Sequence, residues 1–127
     1  MDRRGPLIGF SALAVAVLVA GVIVTGGPAQ GRAEKRDSVR WRDVSEIATH
    51  IGCRSSDAGR LVTDLAATPT CPFPPRVNDP FTDTPYTVTA LSDDSVSICA
   101  TFETESQYRR VDGQGCYVDR VSWRAAD

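Results

Sequence analysis

Residues 7–24, LIGFSALAVAVLVAGVIV, carry no charge, and Ser11 is their only clearly polar side chain. As a helix this stretch rises about 27 Å, close to the roughly 30 Å of a bilayer's hydrocarbon core. Helix is the conformation that satisfies every backbone group there without water. Pro6 suits a helix start, and Gly26-Gly27-Pro28 is a stop signal. The pattern predicts a transmembrane helix over 7–25 and a linker over 26–32. The periodicity then changes. Trp41, Val44, Ala48 and Ile51 recur at spacings of three and four, and Ile47 widens the stripe. This predicts an amphipathic helix from residue 33 to a C-terminal stop at Gly52. Ser55-Ser56-Asp57 reads as the cap of a short helix over 58–67, with Leu61, Val62 and Leu65 inward and Pro69 at its end.

Pro72, Pro74, Pro75, Pro80 and Pro85 forbid regular helix, so the next segment is predicted as an extended, turn-rich loop. Strict alternation begins at Tyr86, with Val88 and Ala90 on the same face. Ser92-Asp93-Asp94 supplies a turn, and Val96, Ile98, Ala100 and Phe102 repeat at period two. After a polar loop over 103–115, with a turn at Asp112-Gly113, a third strand is expected over 116–123. The predicted class is α+β: a transmembrane helix extended by a second helix, then a short helix and a small three-stranded antiparallel sheet with two disulfides.

The apolar stretch has a second reading, a signal peptide cleaved at a small-residue site ending at Ala29. Its length exceeds the 7–15 residues usual for such a region, which favours a retained anchor. For orientation, Arg32, Lys35, Arg36, Arg40 and Arg42 outnumber Arg3 and Arg4, and simple counting of bases places the C-terminal side in the cytoplasm. The four cysteines favour an oxidising compartment. Resting the choice on the cysteines puts residues 1–6 in the cytoplasm and 33–127 outside it, as a single-pass membrane protein.

At 127 residues the chain allows one domain of ordinary size. Its formal charge of −2 gives no attraction to nucleic acid. That charge is unevenly placed. Residues 26–42 hold five bases and two acids, net +3, whereas residues from 43 onward hold seven bases and thirteen acids, net −6. The basic collar lies where lipid phosphates would be; a solvated helix face is the equal alternative.

Cys53, Cys71, Cys99 and Cys116 contain no CxxC spacing, which argues against a redox motif or a zinc knuckle. Three connectivities are possible. The local layout favours nearest neighbours, Cys53–Cys71 and Cys99–Cys116, each closing a loop whose chain entropy is worth about 3 kcal/mol. His50 has no local nucleophile or carboxylate partner. Asp93-Asp94 and Glu103/Glu105 are acidic pairs on polar turns, and Tyr108-Arg109-Arg110 is a small basic and aromatic cluster. There is no G-x-S-x-G, P-loop, Rossmann or EF-hand pattern. No catalytic residue, metal site, cofactor or small-molecule substrate is expected.

The most specific segment is Asn78-Asp79-Pro80-Phe81-Thr82-Asp83-Thr84-Pro85-Tyr86. Asp79 is suited to an Asx-type turn, Asp83 to a positive φ, Pro85 to a rigid lead into the first strand, and Tyr86 to an aromatic core anchor. This segment resembles the loop of the major pseudopilins of type II secretion, in which an Asp-Pro and a short turn precede Pro-Tyr and a strand. The layout agrees over most of the chain. It is similar also to a broader group of membrane-anchored bacterial proteins with a strand like Cys99-Ala100-Thr101-Phe102. Two departures stand out. Gly9-Phe10 matches a pilin-type cleavage site, but the position of the processing and assembly Glu is Ala14. Asp83 replaces the usual turn glycine. The resemblance therefore implies a permanently anchored, pilin-like ectodomain, with calcium assigned to no named residue. The expected function is a non-catalytic structural or protein-interaction role in the cell envelope, with an envelope partner or self-association. A secreted protein or a small envelope hydrolase is the alternative.

Overall fold

The computed structural model describes residues 4–104 and 110–122. Its elements are α1 (Arg4–Val24), α2 (Gly27–Ala58), β1 (Thr87–Ala90), β2 (Ser95–Cys99) and β3 (Cys116–Arg120). The fold is α+β, with one long bent helix, a three-stranded antiparallel sheet and two disulfides.

The described side chains of α1 are solvent-exposed throughout, although α1 is the most apolar part of the chain. It is long and apolar enough to cross a membrane. Its polar atoms are dealt with internally: Ser11 Oγ donates to the Leu7 carbonyl at 2.9 Å, and Thr25 Oγ1 donates to that of Gly21 at 2.8 Å.

The predicted linker is much shorter than 26–32, because helix resumes at Gly27. Gly26 and Gly27 take φ of 76° and 69°, and two left-handed glycines suffice to turn the chain. Pro28 then starts α2, where a missing N–H costs nothing. The predicted stop at Gly52 is also corrected. The helix continues to Ala58 and ends at Gly59, with φ of 65°, whose N–H bonds the Ser55 carbonyl.

No helix forms over 58–67. Ser55, read as part of its cap, lies inside α2 and is fully buried; its Oγ accepts the Val62 amide at 3.0 Å. Arg54 donates to the Ala66 carbonyl at 2.5 Å and to Asp64 at 3.1 Å. Side chains of α2 thus hold this irregular segment, and Leu61 and Leu65 still pack on the core.

The sheet order is β1-β2-β3, both pairs antiparallel. Val88 faces Ile98 and Ala90 faces Val96, while Cys99 is directly opposite Cys116. The strands are shorter than the alternation predicts. β2 stops at Cys99, one residue before the Ala100 amide makes a last in-register bond to the Gly115 carbonyl at 3.0 Å. β3 stops at Arg120, and Trp123 lies outside the described residues. One core joins the two layers: Val44, Ile47, Ala48 and Ile51 of α2 meet Tyr86, Val96, Ile98, Ala100 and Val121. Trp41 and Tyr117 close its edge in a T-shaped contact at 5.3 Å.

Gly115 fixes how β3 begins. Its φ is 82°, and a Cβ there would collide with the carbonyl oxygen of Ala100. Gly115→Ala is expected to cost at least about 1–3 kcal/mol from backbone strain. A urea titration checks this; a midpoint equal to wild type would show that the turn has relaxed around the new methyl group.

Candidate functional site

The apolar stripe of α2 continues toward its N-terminus as charge. Asp37, Arg40 and Asp43 are buried on the side that carries Val44, Ile47 and Ile51. Their three-residue spacing keeps them on one face. Charge counting hides them as a site, because it places Asp37 and Arg40 in the basic collar and Asp43 in the acidic part that follows. The available signal was their continuation of the i, i+3, i+4 register of the core.

Arg40 is 1% exposed. Its Nε bonds Asp79 Oδ2 at 2.5 Å and its Nη1 bonds Asp37 Oδ1 at 2.8 Å, with Glu103 Oε2 at 3.4 Å. Its guanidinium carbon lies 5.5 Å from the Phe81 ring centroid. Burial opposes the Arg40 charge, but the bonds to Asp79 and Asp37 and the field of both Asp79 and Glu103 outweigh it and raise its pKa.

Each predicted loop residue has a place around this cation. Asp79 is buried and accepts the Phe81 amide on Oδ1 at 2.8 Å, an Asx turn across Pro80. Its backbone N–H donates to Thr84, and the Asp83 amide donates back to the Asp79 carbonyl, both at 2.8 Å. Asp83 has φ of 59°, and its Oδ1 accepts from Asn78 at 3.1 Å. Pro85 forms a bridge with Asn78. The Tyr86 amide bonds the Val77 carbonyl at 2.9 Å, and its hydroxyl donates to Asp43 Oδ2 at 2.8 Å. Burial and the neighbouring Asp43 carboxylate raise the Tyr86 pKa, so the phenol keeps its proton. Arg76 reaches Asp43 at 3.3 Å. Arg40 and Asp43 therefore fasten both ends of the loop to α2.

Asp37 fastens the segment after β2. It accepts the Glu103 amide at 2.9 Å, the Thr104 amide at 2.8 Å and the Thr104 hydroxyl at 2.6 Å. Glu103 in turn pairs with Arg36 at 2.7 Å. Among the described residues every buried side-chain N or O atom has a partner. The cluster is a clamp joining one helix face to two loops, with three bases set against four acids and its charged groups already engaged.

Both disulfides have the nearest-neighbour connectivity, Cys53–Cys71 and Cys99–Cys116. The first ties the distal end of α2 to the proline-rich loop. His50 is buried there, Nε2 3.3 Å from the Ala66 carbonyl. A groove of about 650 Å³ runs between His50, Cys53 and the prolines, with Phe73 85% exposed at its rim. A second groove of about 390 Å³ lies between Trp41, Ser45 and Thr49 of α2 and Tyr117, Asp119 and Arg120 of β3. Asp93 and Asp94 sit in the exposed β1–β2 turn, where the Asp94 carbonyl accepts the Val121 amide at 2.8 Å. Glu105, Tyr108 and Arg109 lie outside the described residues. Among the described residues no three His, Cys, Asp or Glu side chains converge as a metal site requires.

The clamp has an acid limit. Burial alone would raise the pKa of Asp37, but the bonds from Thr104, the Glu103 amide and Arg40 lower it below 3.8. Burial likewise opposes ionisation of Asp79, and the Phe81 amide and Arg40 reverse it. A carboxylate with a lowered native pKa gives stability that is complete above its ordinary value and lost as pH falls toward the native one. The melting temperature is expected to drop steeply as pH falls below the ordinary carboxylate range. Asp79→Asn should be less stable at neutral pH yet lose less on acidification. Parallel acid profiles for the two proteins would contradict the assignment.

Comparison with protein-family models, with curated proteins and with solved structures finds no match to this chain.

Proposed function

We propose that this chain is a single-pass membrane protein with a cytoplasmic N-terminus and an extracytoplasmic α+β domain, serving a non-catalytic structural or protein-interaction role in the cell envelope. The observation that carries the reading is the pairing of all four cysteines in a small domain borne on a wholly exposed apolar helix. Disulfides of this kind persist in oxidising compartments, and a helix of this length and composition suits the bilayer core, where its backbone groups are satisfied internally. The engagement of the buried charges with one another supports a holding role over a chemical one. The pilin-like layout belongs to the same proposal, with Ala14 in place of the assembly Glu favouring a helix that stays in the membrane.

The secreted alternative requires cutting after Ala29. That residue lies in the first turn of α2, directly after Pro28, where the backbone is helical rather than extended. The test is alkaline extraction of membranes combined with protease treatment of spheroplasts. The full-length chain is expected in the membrane pellet, with the domain digested from outside only after reduction. Recovery of a soluble chain beginning at Gln30, or of one beginning at Phe10, would overturn permanent anchoring. Protection of the domain in intact spheroplasts even under reducing conditions, with digestion once they are lysed, would reverse the orientation.

A further inference from the structure

We infer that Arg32 and Lys35 form a binding surface for the anionic phospholipid headgroups of the bilayer that holds α1. This rests on the membrane-anchor reading above. The five bases of the collar look alike in sequence, and the fold divides them. Arg36 is spent on Glu103, and Arg40 on Asp37, Asp79 and Glu103. Arg32, Lys35 and Arg42 are exposed and, among the described residues, make no ion pair. The neighbouring acids are engaged elsewhere: Asp37 is buried against Arg40 and Thr104, and the half-buried Glu34 accepts from Gln30 at 3.3 Å. Arg32 and Lys35, three residues apart, lie on one side of α2.

Height separates these two from Arg42. The 21 residues of α1 span about 31 Å, the thickness of the hydrocarbon core. With Val24 at the boundary, Arg32 lies at most about 12 Å and Lys35 at most about 17 Å beyond it along the helix. The break at Gly26-Gly27 can only reduce those heights. Helical side chains tilt toward the N-terminus, so both long chains point back to the lipid. The headgroup layer adds roughly 5–8 Å on each side, and a Debye length of about 8 Å extends its field. Arg42 lies seven residues, up to about 11 Å, farther along α2 than Lys35, so at any given tilt it is the most distant of the three from the lipid.

The test uses the full chain with its disulfides intact, in detergent, exchanged with equal amounts of phosphatidylglycerol and phosphatidylcholine. Native mass spectrometry reads the retained lipid. Each base near an anionic surface favours it about five-fold, so the wild type should prefer phosphatidylglycerol by about 25-fold. R32Q/K35Q should bring that ratio near one. R42Q/R60Q removes the same charge farther out and should leave the ratio unchanged. No preference in the wild type, or equal loss in both double variants, overturns the inference. Displacement of the lipid by millimolar inorganic phosphate also overturns it, assigning the bases to a free anion. Flotation with pure phosphatidylcholine vesicles reads the anchor separately. A chain that floats but shows no headgroup preference defeats only this inference; a chain that does not float defeats the anchor reading as well.

Discussion

Arg40→Ala is expected to destabilise the domain by about 3–5 kcal/mol, the usual cost of removing one partner from a buried ion pair. The substitution leaves Asp37 and Asp79 facing each other at 1% and 3% exposure without their common cation. It also uncovers one face of Phe81 and detaches the 78–86 loop from α2. Urea unfolding of the domain, followed by near-ultraviolet circular dichroism, measures the loss. The companion is R40A/D79N, in which one of the two orphaned charges is removed as well. If the cost is that of an uncompensated carboxylate, the double variant recovers part of it. A double variant as unstable as the sum of the single ones would place the cost in packing instead.

Removing either disulfide is expected to cost about 3 kcal/mol, since the pairs are 18 and 17 residues apart. The two losses should differ in kind. Cys99–Cys116 joins directly opposed residues of β2 and β3, inside a ladder that also carries the core residue Ile98. C99A/C116A should therefore lower the midpoint of global unfolding. Cys53–Cys71 instead anchors a stretch with no ladder of its own between Gly59 and the proline-rich loop. C53A/C71A should open that stretch first, with proteolytic nicking after Arg60 or Arg76 before the sheet is lost. Limited proteolysis with mass mapping separates these outcomes. A domain equally stable with and without reductant would mean that the core alone carries the fold, contrary to what is expected of so small a sheet.

The apolar helix, the amphipathic stripe from Trp41 to Ile51 and the alternation from Val88 to Ile98 were legible because each is a local period set by backbone geometry. The disulfide pairing was legible for a related reason, since nearest neighbours in sequence sit at adjacent corners. The helix over 58–67 was misread because its signals are shared. A Ser-Ser-Asp run and a Leu-Val-Leu pattern suit a capped helix, but Ser55 already belonged to α2 and Gly59 had ended it. The clamp was hidden for a different reason: Asp37, Arg40 and Asp43 have the composition of a surface.

By itself the sequence determined an exposed apolar helix, an α+β class, a cysteine framework and a tight Asp-Pro turn, because these depend on residues close together in the chain. Only the tertiary structure decided which charges are buried. Arg40 meets Asp79 across 39 positions and Asp43 meets Tyr86 across 43, and no local pattern encodes such a pairing. The fold divides the collar in this way because a charge leaves water only where opposite charges and hydrogen bonds from distant segments replace its hydration. Arg40 has those partners, and Arg32 and Lys35 remain outside.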